Sequence, residues 1–154
     1  MRIQRRIGFV VVAALLCTAS LVSAQQWKGW RGSSGWGSGS SYTRMYNPQT
    51  VETITGTVEA IDRIRPAKGM SYGIHVTVKT DKGLVDVHLG PQWFIENQDV
   101  RIEPGDEVAV KGSRVIYQNI PTMIAAEVTK GSSVLVLRDG AGVPVWSGWK
   151  KNNR

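Results

Sequence analysis

The chain has 154 residues, 42% of them hydrophobic, with 19 Lys/Arg against 12 Asp/Glu and a single cysteine, Cys17. One cysteine excludes an internal disulfide, an iron–sulfur site and a thiolate zinc site, and without a CxxCH covalent haem is excluded too. The formal charge of +7 sits at the ends of the chain, because residues 51–138 hold ten Lys/Arg and eleven Asp/Glu, so the high pI is a weak argument for nucleic acid.

Residues 1–24 have the plan of a signal peptide. Arg2, Arg5 and Arg6 precede an apolar run, and Val22-Ser23-Ala24 is the small-x-small pattern of a cleavage site before Gln25. The expected location is the periplasm of a bacterium. The alternative is an uncleaved inner-membrane anchor facing the periplasm, for which residues 7–24 are barely long enough and are diluted by Thr18, Ser20 and Ser23.

Residues 25–50 are rich in Gly, Ser and Trp without hydrophobic periodicity, and a flexible segment is expected there. Trp27, Trp30 and Trp36 are unusual in such a linker. They suit a partner, a glycan or a membrane interface, or else one or two of them fold back onto the domain. Residues 42–48 read as an ordered lead-in ending in an Asn-Pro turn.

From Val51 the pattern is β. Ile54, Gly56, Val58 and Ala60 alternate with Thr53, Thr55, Thr57 and Glu59, and Gly56 suggests a bend or bulge. Residues 63–69 read as a basic loop. Ile74, Val76 and Val78 form the inward set of a second strand, and Val85, Val87 and Leu89 that of a third, with a hairpin between them. Residues 90–97 suggest one or two helical turns with Pro91 at the first helical position. A Pro104-Gly105-Asp106 turn leads to a fourth strand with a glycine break at Gly112, and then come a fifth strand, a short sixth and a turn at 139–142.

This order predicts an all-β fold, a small OB-like five-stranded Greek-key barrel over 51–149. A short helix lies between strands three and four, a C-terminal hairpin follows, and residues 150–154 are a basic tail.

Certain stretches resemble one family: residues 46–53, His88-Leu89-Gly90-Pro91, residues 93–98, Pro104-Gly105-Asp106, residues 112–115, and residues 137–139 through Trp146. Together they are similar to the small exported domain shared by the magnetosome proteins MamS and MamX and by many bacterial envelope proteins. The resemblance implies an envelope β-barrel module and, loosely, an iron or redox context. MamX-type proteins carry haem-attachment motifs beside this domain; this chain has none, and no catalytic residue carries over.

The inward phase of strands two and three sends His75, Thr77 and Lys79, and Leu84, Asp86 and His88, to the other face. A four-residue loop, 80–83, puts His75 opposite His88 and Thr77 opposite Asp86; a two-residue loop made of Lys82-Gly83 leaves the histidines one diagonal apart. Cross-strand Cβ atoms about 4.5–5.5 Å apart let two imidazoles reach one ion. His75 and His88 are therefore metal candidates, suited to a transition metal or non-covalent haem. The competing reading is a structural His–Asp contact covered by a tail. Tyr72, His75, Lys79, Asp86, His88 and Trp93 are the candidates for a ligand face. Trp93 and Phe94 either line a pocket or plug the barrel.

Arg63, Arg65 and Lys68, with Tyr117 near the last loop, suit a polyanion or single-stranded nucleic acid. The strand face offers no Phe, Tyr or Trp for stacking, and Asp86 repels phosphate. No Gly-x-Ser-x-Gly elbow, HExxH or P-loop is present, so a non-enzyme is expected. The expected role is binding or scaffolding, with another envelope protein as partner; the alternative is a nucleic-acid or polyanion binder.

Overall fold

The computed structural model describes residues 33–148; the leader 1–24, Trp27, Trp30 and the tail 150–154 lie outside the described residues. Six strands and one short helix follow in order: β1 Val51–Ile64, β2 Gly73–Thr80, β3 Gly83–Pro91, α1 Gln92–Ile95, β4 Glu107–Tyr117, β5 Ile120–Lys130 and β6 Ser133–Val136. Strand β1 pairs antiparallel with β2 and β4, β2 with β3, and β4 with β5. A parallel contact between Asp86–His88 of β3 and Thr122–Ile124 of β5 closes the ring. The result is a five-stranded barrel in the order 1-2-3-5-4, with α1 between β3 and β4, as expected. Strand β6 hangs on β5 outside the ring.

The alternation written in the sequence fills this barrel. Val76, Val78, Val85, Val87 and Leu89 are all buried, joined by Val58, Val108, Val110, Met123 and Val128. Each such side chain removed from water contributes about 1.5–3 kcal/mol, so the strand phase is strongly specified.

Three register slips interrupt the ring, one of them in the β2–β3 pairing between Ile74 and His75. The β1–β2 register slips between Val58 and Ala60. There the Pro104-Gly105-Asp106 turn is pinned, with Val58 N donating to Asp106 O at 2.8 Å and Gly105 N to Val58 O at 2.8 Å. The bulge thus falls beyond Gly56, which serves instead as the point where the Lys79 carbonyl comes too close for any Cβ. The expected break at Gly112 is present: the β4–β5 register slips between Lys111 and Gly112, and a Cβ there would meet Ile124 O at 2.5 Å.

Other boundaries differ. Arg63 belongs to β1, not to the loop, and Pro91 ends β3 and caps α1 rather than entering it. The flexible segment expected over 25–50 is corrected for residues 33–41, where Trp36 takes the fold-back alternative, and the ordered lead-in expected at 42–48 is present. Two 3-10 turns, Thr43–Met45 and Pro48–Thr50, lie there, and Trp36, Tyr42 and Tyr46 are buried. Burial of three aromatic side chains outweighs the conformational entropy that Gly and Ser would otherwise retain. Phe94 is buried against Trp146, with ring centroids 5.1 Å apart, and Trp93 is half-buried, edge-on to Phe94.

Val87→Asp is expected to unfold the barrel, because an unpaired charge would enter the core. Thr77→Asp, on the opposite face of the same hairpin, should shift the urea midpoint only slightly. Equal midpoints for the two variants would show that the strand phase is inverted.

Candidate functional site

The β2–β3 hairpin is closed by Thr80 opposite Gly83, so His75 faces His88 and Thr77 faces Asp86. Of the two registers open to the sequence, the structure takes the one that brings the histidines together. Their rings stand edge to face, 5.6 Å between centroids. His75 Nε2 lies 3.2 Å from Asp86 Oδ1, but off the line of a hydrogen bond, so the contact is electrostatic.

This face is not open. His88 is only 3% exposed. Tyr42, from the segment preceding β1, stacks on its ring, and the phenol oxygen is 2.9 Å from Nδ1. Tyr117, at the end of β4, approaches His88 edge-on at 4.8 Å and donates to Pro66 O at 2.7 Å, tying β4 to the loop after β1. In OB-type barrels the β2–β3 face and these two loops form the ligand surface. Here the chain's own N-terminal strap lies over its His88 end.

Two tryptophans anchor the cover. Trp36 sits over Gly73, where a Cβ would come within 2.5 Å of Cη2, and Trp146 sits over Gly90, where the corresponding distance is 2.6 Å. Gly90 pairs with Ile74, next to Gly73, so the two glycines lie close together on neighbouring strands. Trp146 Nε1 donates to Trp36 O at 2.8 Å, and Trp36 Nε1 to Ser71 O at 3.1 Å. Beneath Trp146 lies Arg138, 3% exposed, its guanidinium 5.1 Å from the ring centre. Its Nη1 donates to Ala125 O and, at 3.2 Å, to Leu89 O, one carbonyl on each side of the seam where the β3–β5 pairing ends.

Burial sets the protonation states. It pushes the Tyr42 hydroxyl far above its ordinary range and raises that of Tyr46, so both stay neutral phenols. It drives His88 down to about 3, helped by the nearby His75 and Arg138. His88 is thus neutral, with Nδ1 engaged by Tyr42. Among the described residues no group of three His, Cys, Asp or Glu is placed to hold a metal. In the structure the two histidines make an internal polar and aromatic contact under the strap.

The remaining candidates are dispersed. Lys79 pairs with Glu59 at 3.6 Å, Arg63 approaches Glu96 at 4.0 Å, and Arg65 lies over the exposed Tyr72 ring at 4.6 Å. Lys68 is exposed in the loop after β1. Sequence reasoning missed Arg138, Trp146 and the role of Tyr42. The available signal was a pair of glycines, Gly73 and Gly90, at the ends of strands that otherwise carry bulky residues.

Residues 50–135 match the family model of the MamS/MamX magnetosome protein family, and the chain belongs to that family. The match covers the barrel through most of β6; the strap bearing Trp36 and Tyr42 and the return bearing Arg138 and Trp146 lie outside it. No curated protein matches the chain. Among the described residues, no helix is long and apolar enough to cross a membrane.

The buried neutral histidine makes stability depend on pH. Its folded value lies below the value of about 6.5 expected for the unfolded chain. The unfolded state therefore binds more protons between these limits, so stability is complete above about pH 6.5 and falls as pH drops toward 3, by at most about 1.4 kcal/mol per unit. His88→Asn keeps an acceptor for Tyr42 and removes the titration. Urea melts between pH 7 and 4 should show a shallower slope for this variant; parallel slopes would mean that His88 is not held neutral.

Proposed function

We propose that this chain is an exported, non-catalytic binding module of the MamS/MamX type, acting in the periplasm by docking another envelope protein along the open edge of β6. The observation that carries this reading is the character of that edge. Strand β6 pairs with β5 through a hairpin closed at Lys130 opposite Ser133. Val134 and Val136 then occupy the non-hydrogen-bonded positions, with their N–H and C=O groups directed away from β5. Among the described residues no strand pairs on that side. Both valines are 48% exposed, and the return segment, which bonds residues 137–139 just beyond β6 through Val145 N–Leu137 O and Asp139 N–Val143 O, carries two more exposed valines, Val143 and Val145.

An unprotected edge with alternating apolar residues favours addition of an extended strand from a partner, main-chain bonds supplying affinity and the valines a surface for its side chains. The strap over the β2–β3 face supports the same reading, since it takes up part of the surface where a barrel of this kind would hold a free ligand. A single-stranded nucleic acid or polyanion has less support. Arg63 is near Glu96, Arg65 is over Tyr72, and the covered face offers little aromatic surface for stacking.

Export rests on the leader, with Arg2, Arg5, Arg6 and Val22-Ser23-Ala24. Mass spectrometry of protein from its host should find an N-terminus at Gln25; an intact Met1 on cytoplasmic protein would remove the compartment from the proposal.

Docking at β6 is tested with a photo-crosslinking residue placed at Val134 and, as control, at Thr77. A discrete adduct from position 134 alone is expected, lost when Val136→Pro deletes an outward N–H without touching the β5 ladder. Adducts equally strong from both positions, or unaffected by the proline in a folded variant, would sink the edge as the docking site.

A further inference from the structure

Among the described residues Arg138 is a buried cation without a countercharge. Its Nη1 is satisfied by two carbonyls, whereas Nε and Nη2 are buried and have no hydrogen-bond partner among the described residues. These two nitrogens form the side-on edge of the guanidinium, the fork that accepts carboxylates and other anions through parallel N–H bonds. No carboxylate among the described residues pairs with it. All twelve Asp and Glu of the sequence lie between Glu52 and Asp139, inside the described residues. Asp139, its chain neighbour, is turned to the backbone of Ala141 and Val143, 2.9 Å from each nitrogen. Tyr42 and Tyr46 are the phenols whose charge would act on it, and burial keeps both neutral.

An uncompensated buried charge costs several kcal/mol, and guanidinium cannot shed its proton to escape that cost. The Trp146 face offsets a part of it. We infer that the free fork of Arg138 is an internal binding site for one compact monovalent anion, of halide or small-carboxylate size, enclosed by the strap and the C-terminal return. The anion completes the closure of the barrel seam, where Nη1 already links the β3 and β5 carbonyls. This site is independent of the β6 edge.

The test is the unfolding midpoint of the full chain in sodium chloride, sodium formate and sodium gluconate at matched ionic strength. Chloride or formate should raise the midpoint over gluconate along a saturating curve, with the folding constant up about 100-fold at a hundred times Kd. The order of chloride and formate distinguishes a halide site from a carboxylate site. Arg138→Met should abolish the difference between salts. If that variant does not fold, chloride NMR line width with native protein replaces it: broadening that formate competes away is expected, and a width equal to that with urea-unfolded protein overturns the site. Identical midpoints in all three salts also overturn it.

Discussion

The seating of Trp36 and Trp146 on Gly73 and Gly90 is the contact on which the rest of the molecule turns. Each indole is 1% exposed, and at 150–250 Å² of buried surface such a side chain contributes about 4–6 kcal/mol by area. A side chain at either glycine would occupy the ring's position. Through these two rings the segment before β1 and the segment after β6 meet over the barrel, joined directly by the Trp146 Nε1–Trp36 O bond. Tyr42 reaches His88 and Arg138 is sealed because the tryptophans fix where their segments run. The histidine face, the barrel seam and both termini of the described domain are consequences of one packing event.

That event explains where sequence reading ended. Strand phase was legible because Val76, Val78, Val85, Val87 and Leu89 alternate without error, and a one-residue slip would turn all of them outward. The hairpin limited His75 and His88 to two registers, and the structure takes one of them. The strap was legible only in part: residues 42–48 read as ordered and a tryptophan could fold back, but which one and where it sits did not show. Residues 33–41 have the composition of a linker, and nothing local shows that Trp36 has a seat 37 residues away at Gly73. Arg138 looked like the polar end of a short strand, because its partners are backbone carbonyls, which every sequence supplies. The bulge after Val58 was likewise hidden, since it answers to the Pro104-Gly105-Asp106 turn bonded there and not to Gly56.

The histidine face is set by its cover as much as by its register. Two imidazoles and a carboxylate do share one side of the hairpin, and exposed they would resemble an incipient ligand set. Covered by Tyr42, His88 loses access to solvent and is held neutral. The low dielectric that makes its bond to Tyr42 stronger also makes an unpaired charge there costly. The same reasoning singles out Arg138. Histidine escapes the penalty of burial by staying neutral; arginine has no such exit, so its countercharge must come from elsewhere.

The division between matched and unmatched residues sharpens the functional argument. The family match takes in the barrel over 50–135, whereas the Trp36–Tyr42 strap and the Arg138–Trp146 return stand outside it. A five-stranded barrel without these segments would expose the His88 ring, Gly73 and Gly90 as an apolar shelf next to the β2–β3 surface. With them, the shelf is filled intramolecularly, and a competing ligand would first have to displace two buried indoles. Such displacement costs more than a typical micromolar contact returns, about 8 kcal/mol for binding in total. For the docking proposed above, this favours parts of the surface that ask for no rearrangement, and the β6 edge, with its outward main-chain groups already in extended geometry, is one that meets this condition.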